Sequence, residues 1–224
     1  MLKKEYIPSL NGIRAISIMM VVLFHLRANH FYDFQNPLAR QLGLIFINGE
    51  LGVNIFFIIS GYLITTLLIQ EKESTGNISL QAFYIKRTFR IFPAYYALLL
   101  VYVVLQSVGY LHLPGVTWLS LLTYTKQFFS ADIHEVGHIW SLCVEELFYL
   151  VYPILFVTFY KHIRRLILAL IPLFILFRLQ TFHFPASGYK NSIFVSGDSL
   201  LVGCLFAFES LSIKAFISRN KHLS

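Results

Sequence analysis

Six apolar stretches, each close to the length that a helix needs to cross a bilayer, dominate this sequence. They occupy residues 7–26, 51–69, 91–108, 139–160, 166–182 and 193–211. A transmembrane helix requires about 20 predominantly apolar residues, and a chain that is 57% hydrophobic and 13% charged is not disordered. We therefore predict an all-α fold, a polytopic integral membrane helical bundle of about six transmembrane helices. It would form a single membrane domain over residues 1–224, with no soluble domain appended.

The lysines and arginines indicate the orientation of the bundle. With the N-terminus inside, twelve of them lie on the inner side: Lys3, Lys4, Lys72, Lys86, Arg87, Arg90, Lys161, Arg164, Arg165, Lys214, Arg219 and Lys221. Five lie on the outer side: Arg27, Arg40, Lys126, Arg178 and Lys190. The positive-inside rule then predicts an inner (plasma) membrane protein with cytoplasmic N- and C-termini. A net charge of +7 is compatible with nucleic-acid binding, but the basic residues fall in loops between apolar segments, so we expect contact with a lipid bilayer and not with nucleic acid.

Two further features of the sequence bear on the fold. The short apolar segment 116–129 contains Lys126, and we expect an interfacial helix or a partly re-entrant segment there. The two cysteines, Cys143 and Cys204, lie within apolar runs. Cysteines in such positions are usually small buried side chains, so we expect neither a disulfide nor a metal site.

The first apolar stretch contains Arg14 and His25, eleven residues apart. On a helix this spacing places both side chains on one face, within about 20° of each other and about 16 Å apart along the axis. Ionisable residues inside a membrane are costly and are functional candidates by default. Arg14 is a candidate for binding an anionic donor, and His25 for a general base. The alternative is that both are boundary residues, with Arg14 extending its charge to the interface.

Polar residues also mark the second and third stretches. Asn54 requires a hydrogen-bonding partner within the bundle, whereas Ser60 and Gly61 favour close helix packing. Lys86, Arg87 and Arg90 are neighbours on one helix surface. Such a cluster suits the binding of phosphates, although simple anchoring at the cytoplasmic boundary explains it as well.

The later stretches contain buried acids. Glu145 and Glu146 are adjacent in the fourth stretch, and carboxylates there must be protonated, paired or solvated. We expect one of them to pair with an arginine or to orient His25. His138, Ser141 and Glu145 form one helical stripe, which makes a Ser-His-acid triad conceivable. Asp198 in the sixth stretch is either a functional acid or half of a structural ion pair.

Four motifs occur in order along the chain: Leu-Asn-Gly-Ile-Arg…His, Gly-Val-Asn-Ile-Phe-Phe…Ser-Gly-Tyr, Lys-Arg-x-x-Arg-Ile-x-Pro and His-x-Trp-Ser-Leu-x-Val-Glu-Glu-x-Phe-Tyr. In this combination the chain resembles the acyltransferase 3 family of integral membrane O-acyltransferases. The resemblance covers residues 6–208. Members usually have about ten spans, so the resemblance implies a C-terminally short member that corresponds to the N-terminal part of the family domain.

The resemblance implies transfer of an acyl group, commonly acetyl, from cytoplasmic acyl-CoA to a hydroxyl of a cell-envelope or exported carbohydrate. No cofactor is covalently bound; acyl-CoA (acetyl-CoA) is the donor substrate. The implied catalytic residues are His25, Glu145 and Glu146. The implied donor- or substrate-binding residues are Arg14, Asn54, Lys86, Arg87, Arg90, Ser141 and Asp198. The chain departs from the family pattern at Asn54, where an aspartate is common, and before Asp198, where an arginine is common.

Two other interpretations remain open from the sequence. A membrane transporter would use Arg14, Glu145 and Asp198 as a polar pathway, although transporters often show paired repeats and none is evident in this sequence. A truncated, non-catalytic membrane fragment would fold or associate with a partner. Binding of acyl-CoA separates the enzyme from the transporter.

Overall fold

The computed structural model describes residues 8–28, 48–128, 136–183 and 193–220. These residues form α1 (Pro8–Ala28), α2 (Gly49–Thr75), α3 (Leu80–Ser107), α4 (Gly115–Leu122), α5 (Ile139–Thr158), α6 (Ile163–His183) and α7 (Ile193–Asn220). A short 3-10 helix, Lys126–Phe128, follows α4. No strand occurs within the described ranges, so the prediction of an all-α fold is confirmed there.

The helices agree with the predicted spans in position, but not in number. Four are long and apolar enough to cross a membrane: α2, α3, α5 and the part of α7 over Ile193–Leu211. The described apolar part of α1 is shorter, Ser9–His25, and α6 contains three arginines. The structure therefore supports a helical membrane bundle, whereas a count of about six spans is not confirmed. Ile7, the start of the first predicted span, lies outside the described residues.

A polar turn joins α2 to α3. Gly76 adopts a positive φ of 72° just after α2 ends, a conformation that glycine tolerates best. The Ser79 hydroxyl then accepts a hydrogen bond from the Ala82 N–H at 3.2 Å and caps α3. The Glu71 carboxylate accepts a further bond from the Ser79 N–H at 3.0 Å. These bonds satisfy backbone groups that a helix start otherwise leaves unpaired.

The contacts of the chain divide it into two compact units. The first comprises Met1–Ile69, Arg164–Ile175 and Ser196–Ser224, and the second comprises Gln70–Ile163 and Leu176–Val195. Helices α2, α6 and α7 each contribute residues to both. The single membrane domain expected from the sequence stays a prediction.

Helices α2 and α7 pack backbone to backbone in the first unit. A Cβ atom added at Gly61 would collide with the carbonyl oxygen of Leu200, and one added at Gly203 would collide with that of Ile58. Each helix therefore has a glycine at the point where the other helix's main chain passes. This arrangement matches the packing role expected for Gly61, because small residues allow helices in membranes to approach closely.

The second unit has a core built from α3, α4, α5 and the segments that join them. Its buried members are Tyr95, Leu99, Tyr102, Leu111, Leu113, Leu121, Val136, Ile139 and Cys143. The Tyr95 hydroxyl donates to the Leu121 carbonyl at 2.8 Å and ties α3 to the end of α4. Cys143 is a free, buried thiol, which agrees with its expected packing role.

The segment predicted to be interfacial or re-entrant folds back into this core. Helix α4 and the 3-10 helix bury Thr117, Ser120, Lys126 and Gln127. The 3-10 helix packs against α5. The depth of the segment in a membrane stays a prediction, and Phe129 lies outside the described residues.

The glycine contacts predict that Gly203→Ala lowers the stability of the first unit strongly. The added methyl group has no space beside the Ile58 carbonyl, so α2 and α7 must separate, and overpacking of this kind costs about 1–3 kcal/mol. Thermal unfolding of the detergent-purified protein measures the effect. Gly115→Ala is the matched control, since its Cβ meets open space. Equal melting temperatures of the two variants would contradict the packing described here.

Candidate functional site

The two adjacent carboxylates of α5 meet one arginine from α3. The Arg87 Nη2 atom lies 3.7 Å from Oε1 of Glu145 and 4.0 Å from Oε1 of Glu146. Glu145 is only 4% exposed. A charge buried in apolar surroundings is very costly unless it is paired, so this contact is the main compensation that the described residues offer the two acids.

Tyr149 holds both partners of the Arg87–Glu145 contact in place. It lies one helical turn after Glu145, and its hydroxyl donates to Oε1 of that residue at 2.5 Å. The guanidinium carbon of Arg87 lies 3.1 Å from the centre of the Tyr149 ring, where a cation is attracted by the negative face of the aromatic system. Tyr84, also on α3, donates to the Leu150 carbonyl at 2.7 Å and fixes α3 against α5.

A cavity of about 300 Å³ opens beside this charged contact. Residues of α3, of α5 and of the turn that carries the 3-10 helix line it: Tyr84, Arg87, Thr88, Phe92, Thr123, Tyr124, Thr125, Gln127, Phe128, Glu146, Leu147, Tyr149 and Leu150. The wall is mostly apolar, with a few convergent polar groups. That composition is typical of small-molecule sites.

Four buried polar atoms on the lining residues have no hydrogen-bond partner among the described residues. They are Nε of Arg87, the hydroxyl of Tyr124, Nε2 of Gln127 and Oε1 of Glu146. Most buried polar atoms in proteins are hydrogen-bonded, so a group of four around one cavity is unusual. Each of the four atoms has almost no accessible surface, so they lie behind the wall of the cavity and do not open into it.

Tyr124 and Gln127 were not among the site residues predicted from the sequence. Local backbone geometry brings them to the wall of the cavity. Tyr124 has a positive φ of 56°, which is unusual for a residue with a side chain. Its ring stacks on Tyr95 at 4.4 Å and on Phe92 at 5.8 Å. Burial raises the pKa of Tyr124 above its usual value, so its hydroxyl keeps its proton at neutral pH. The only signal in the sequence was the polar run 123–127 between apolar residues.

The predicted basic cluster on α3 has two different environments. Arg87 turns toward the acids, whereas Lys86 and Arg90 are exposed and form no ion pair within the described part of the chain. Lys86 and Arg90 are four residues apart and lie about 40° from each other around the helix. The pair therefore presents two unneutralised cations on one surface of α3.

In the first unit, Arg14 and His25 both lie on α1 and are partly buried. The Arg14 guanidinium lies 4.9 Å from the centre of the Phe56 ring. The His25 Nδ1 atom lies 2.8 Å from the Val21 carbonyl oxygen, one turn earlier on the same helix. A carbonyl only accepts hydrogen bonds, so Nδ1 carries a proton and Nε2 is the basic nitrogen of the neutral ring.

The other predicted residues take part in hydrogen bonds within the protein. Asn54 Oδ1 accepts a bond from the Ser199 hydroxyl at 3.0 Å, which links α2 to α7. The buried Asp198 accepts from the Ser199 N–H at 2.8 Å. Ser199 thus forms hydrogen bonds with two of the residues predicted to bind the donor.

The conceivable triad on α5 is not assembled. The Ser141 hydroxyl donates to the backbone carbonyl of His138 at 3.0 Å and not to its imidazole. The imidazole Nε2 faces the Tyr102 hydroxyl at 3.4 Å, and Glu145 is engaged by Tyr149 and Arg87. Residues on one helical stripe point in similar directions, but each here has a nearer partner elsewhere. No cluster of three or more potential metal ligands occurs among the described residues.

The charged contact predicts that Arg87→Met destabilises the second unit strongly. The substitution leaves two carboxylates in apolar surroundings without their cation, and breaking a buried ion pair in this way costs about 3–5 kcal/mol. Thermal unfolding in detergent measures the loss. Arg90→Met is the matched control, because Arg90 is exposed and unpaired within the described ranges.

A triple variant tests whether the loss of stability comes from the uncompensated carboxylate charges. Adding Glu145→Gln and Glu146→Gln to the Arg87→Met protein removes the two uncompensated charges, so a large part of the lost stability should return. A triple variant that is no more stable than Arg87→Met would show that the arginine acts through packing and not through charge.

Comparison with known proteins identifies the family of the chain. The sequence model of the family described as "Acyltransferase domain" (Acyl_transf_3) matches residues 7–221. A relative in Staphylococcus aureus strain COL, named "Putative O-acetyltransferase SACOL0978", is 32% identical over 176 residues. "O-acetyltransferase OatA" of Staphylococcus aureus strain NCTC 8325 is 31% identical over 230 aligned residues. No solved structure matches the chain.

The aligned regions cover 73% and 93% of this chain, but only 27% and 35% of the two relatives. The chain thus spans about a quarter to a third of the length of the curated relatives that it matches. The family model nevertheless extends over nearly the whole sequence and includes every charged motif described above. The chain belongs to the acyltransferase 3 family.

Proposed function

We propose that this protein is a membrane O-acetyltransferase that moves an acetyl group from cytoplasmic acetyl-CoA to a hydroxyl of a cell-envelope or exported carbohydrate. The family match over residues 7–221 carries the proposal, and the names of the relatives support O-acetylation as the reaction class. The bilayer is the expected environment, with both termini in the cytoplasm. The donor acts as a substrate, and no covalently bound cofactor is required.

Lys86 and Arg90 are the proposed phosphate-binding residues for coenzyme A. Their charges are exposed and unneutralised within the described residues, whereas that of Arg87 is directed to two carboxylates. Arginine and lysine bind phosphate oxygens through charge-assisted hydrogen bonds. The positive-inside rule places the start of α3 on the cytoplasmic side, from which the donor arrives. Arg14 keeps its predicted role as a further donor-binding residue.

His25 is the proposed general base. Its Nδ1 atom is anchored on the Val21 carbonyl, so Nε2 is the atom that takes the proton from the acceptor hydroxyl. The hydroxyl oxygen then attacks the thioester carbonyl, a C–O bond forms and the C–S bond breaks. Coenzyme A leaves as a thiolate, which receives the proton that His25 had accepted.

The remaining predicted residues have supporting roles in this proposal. Glu145 and Glu146 fix Arg87 at the cavity through their opposite charge. Asn54 and Asp198 act through Ser199, which hydrogen-bonds both of them. The Ser141 hydroxyl donates to the His138 carbonyl at the start of α5, and its role in donor binding stays a prediction.

We expect His25→Ala to abolish acetyl transfer, because it removes the proposed acceptor of the hydroxyl proton. The measurement compares acetylation of envelope polysaccharide in cells that carry the variant, the unaltered gene or no gene. His112→Ala is the matched control, since His112 is an exposed histidine outside the proposed site. Unchanged acetylation with His25→Ala at normal protein levels would refute the role of His25.

We expect Lys86→Gln and Arg90→Gln each to weaken binding of coenzyme A about tenfold. A hydrogen bond to a charged group contributes about 1.5–3 kcal/mol, and 1.4 kcal/mol corresponds to a factor of ten. Titration of the purified protein with coenzyme A measures the dissociation constants. Lys161→Gln, which removes an exposed cation elsewhere in the second unit, should leave the affinity unchanged. A protein that does not bind coenzyme A at all would favour the transporter interpretation.

A further inference from the structure

Helix α4 runs back along α3, from the C-terminal end of α3 toward its middle. The Leu113 N–H donates to the Gln106 side chain at 3.2 Å, so the chain ahead of α4 lies level with that end of α3. The Leu121 carbonyl, at the end of α4, accepts from the Tyr95 hydroxyl at 2.8 Å. Tyr95 precedes Gln106 by eleven residues, which correspond to about 16 Å along a helix.

The turn that follows α4 lies beside the middle of α3, and the chain is then found near the C-terminal end of α3 again. The Tyr124 ring stacks on Phe92, fourteen residues before Gln106. The His138 imidazole, just ahead of α5, faces the Tyr102 hydroxyl at 3.4 Å. The chain therefore approaches the turn and leaves it on one side of the second unit.

The exposed surface of α4 is that of a helix in lipid. Val116, Leu119 and Leu122 are 60%, 60% and 51% exposed, whereas Thr117 and Ser120 are buried. The helix contains no charged residue. A helix that lies on a membrane surface typically carries lysine or arginine on a polar, water-facing side. An apolar exposed face opposite a buried polar face indicates that α4 is surrounded by hydrocarbon and protein.

The turn itself is unsuited to hydrocarbon. Lys126 and Gln127 are buried in the protein, and Thr123 is exposed. Irregular backbone and charged side chains are tolerated at membrane depth only where protein covers them or where they line a water-filled cavity. The turn therefore requires such surroundings, and the cavity of about 300 Å³ lies directly beside it.

Three threonines on the wall of this cavity favour water over a lipid chain. They are Thr88 of α3 and Thr123 and Thr125 of the turn. The Thr123 hydroxyl donates its only proton to the Leu119 carbonyl at 2.7 Å, so Thr125 is the donor in the 2.7 Å contact between the two hydroxyls. The Thr125 oxygen keeps lone pairs that accept from water. Accessible hydroxyls are costly in hydrocarbon unless they are hydrogen-bonded.

The core of the second unit closes the space between α3 and α5 on the side from which α4 enters. The buried residues of the two helices there are Tyr95, Leu99, Tyr102, Ile139 and Cys143. The cavity is lined by residues nearer the start of α3 and the end of α5, within 84–92 and 146–150. That is the side of the polar turn between α2 and α3, which the positive-inside rule assigns to the cytoplasm.

We infer that α4 and the turn after it form a re-entrant segment, which enters the membrane from the side of His112, and that the cavity is a water-filled inlet open toward the α2–α3 turn. The segment closes the space between α3 and α5 from one side. Water-soluble molecules reach the cavity from the other side. The inference goes beyond the proposed function and does not depend on it, because access of water requires neither a donor nor an acceptor.

Single cysteines and a membrane-impermeant maleimide test this inference in sealed vesicles of both orientations. Thr88→Cys and Thr125→Cys report on the cavity. Asn77→Cys marks the α2–α3 turn, His112→Cys the chain ahead of α4, and Leu119→Cys the exposed face of α4. The two natural cysteines are buried, so the unaltered protein is the blank. Each variant should be labelled after denaturation in detergent, which shows that its thiol is reactive.

We expect Thr88→Cys and Thr125→Cys to be labelled from the side that labels Asn77→Cys and not from the side that labels His112→Cys. Leu119→Cys should show a loss of labelling from both sides, because its thiol lies in hydrocarbon. The comparison with the two marker positions holds for either orientation of the protein in the membrane. The two cavity variants lie on different elements, so either one can decide the result if the other does not fold.

Three results would overturn the inference. Labelling of Thr125→Cys from the side of His112 would place the turn at that surface. Labelling of Leu119→Cys from the same side would show that α4 lies in the interface. Absence of labelling of both Thr88→Cys and Thr125→Cys from either side would show that water does not reach the cavity. Each of these results leaves the proposed acetyl transfer intact, since that activity is measured separately.

Discussion

Two adjacent carboxylates in an apolar helix impose the strongest physical constraint on this protein. Glu145 and Glu146 lie in the N-terminal half of α5, in apolar surroundings where an unpaired charge is far more costly than in water. One arginine from α3 meets both. Because the guanidinium has to reach two acids at once, the relative position of α3 and α5 is restricted. Tyr149 adds to this restriction by stacking on the arginine and donating to Glu145.

The same contact separates Arg87 from the other basic residues of its motif. The Arg87 guanidinium is directed to two carboxylates, whereas the charges of Lys86 and Arg90 are exposed. The basic residues on either side of Arg87 differ because successive residues on a helix point about 100° apart. Lys86 and Arg90 face away from the acids and stay exposed. A motif that forms one cluster in the sequence therefore has two different environments in the structure.

The sequence was sufficient for the parts of the fold that depend on local pattern. Long apolar runs predicted where helices lie. The burial cost of Glu145 and Glu146 predicted that one of them pairs with an arginine or orients His25, and the contact with Arg87 agrees with the first alternative. Gly61 was expected at a close helix contact, and its position against the Leu200 carbonyl agrees. The number of membrane-spanning helices was harder to predict, since α1 is short in its described apolar part and α6 contains three arginines.

Other features of the site depend on contacts that no local pattern reveals. Gln127 lines the cavity because the chain turns after α4, through a left-handed Tyr124, and packs a 3-10 helix against α5. The Ser-His-acid triad that the sequence suggested is not assembled in the structure, for a related reason. The three residues do follow one helical stripe, but the Ser141 hydroxyl donates to the His138 carbonyl, and Glu145 contacts Tyr149 of α5 and Arg87 of α3.

The unusual backbone at Tyr124 has a physical explanation within the same network. A left-handed conformation costs about 1–2 kcal/mol for a residue with a Cβ atom, and it persists only where the surroundings hold it. Here the ring is stacked on Tyr95 and Phe92, and the following residues are buried against α5. The strained turn therefore presents the Tyr124 hydroxyl and the Gln127 amide in fixed positions. The same burial leaves the two polar groups almost without accessible surface. The energetic cost of the left-handed turn is therefore offset by packing, which holds the 3-10 helix against α5.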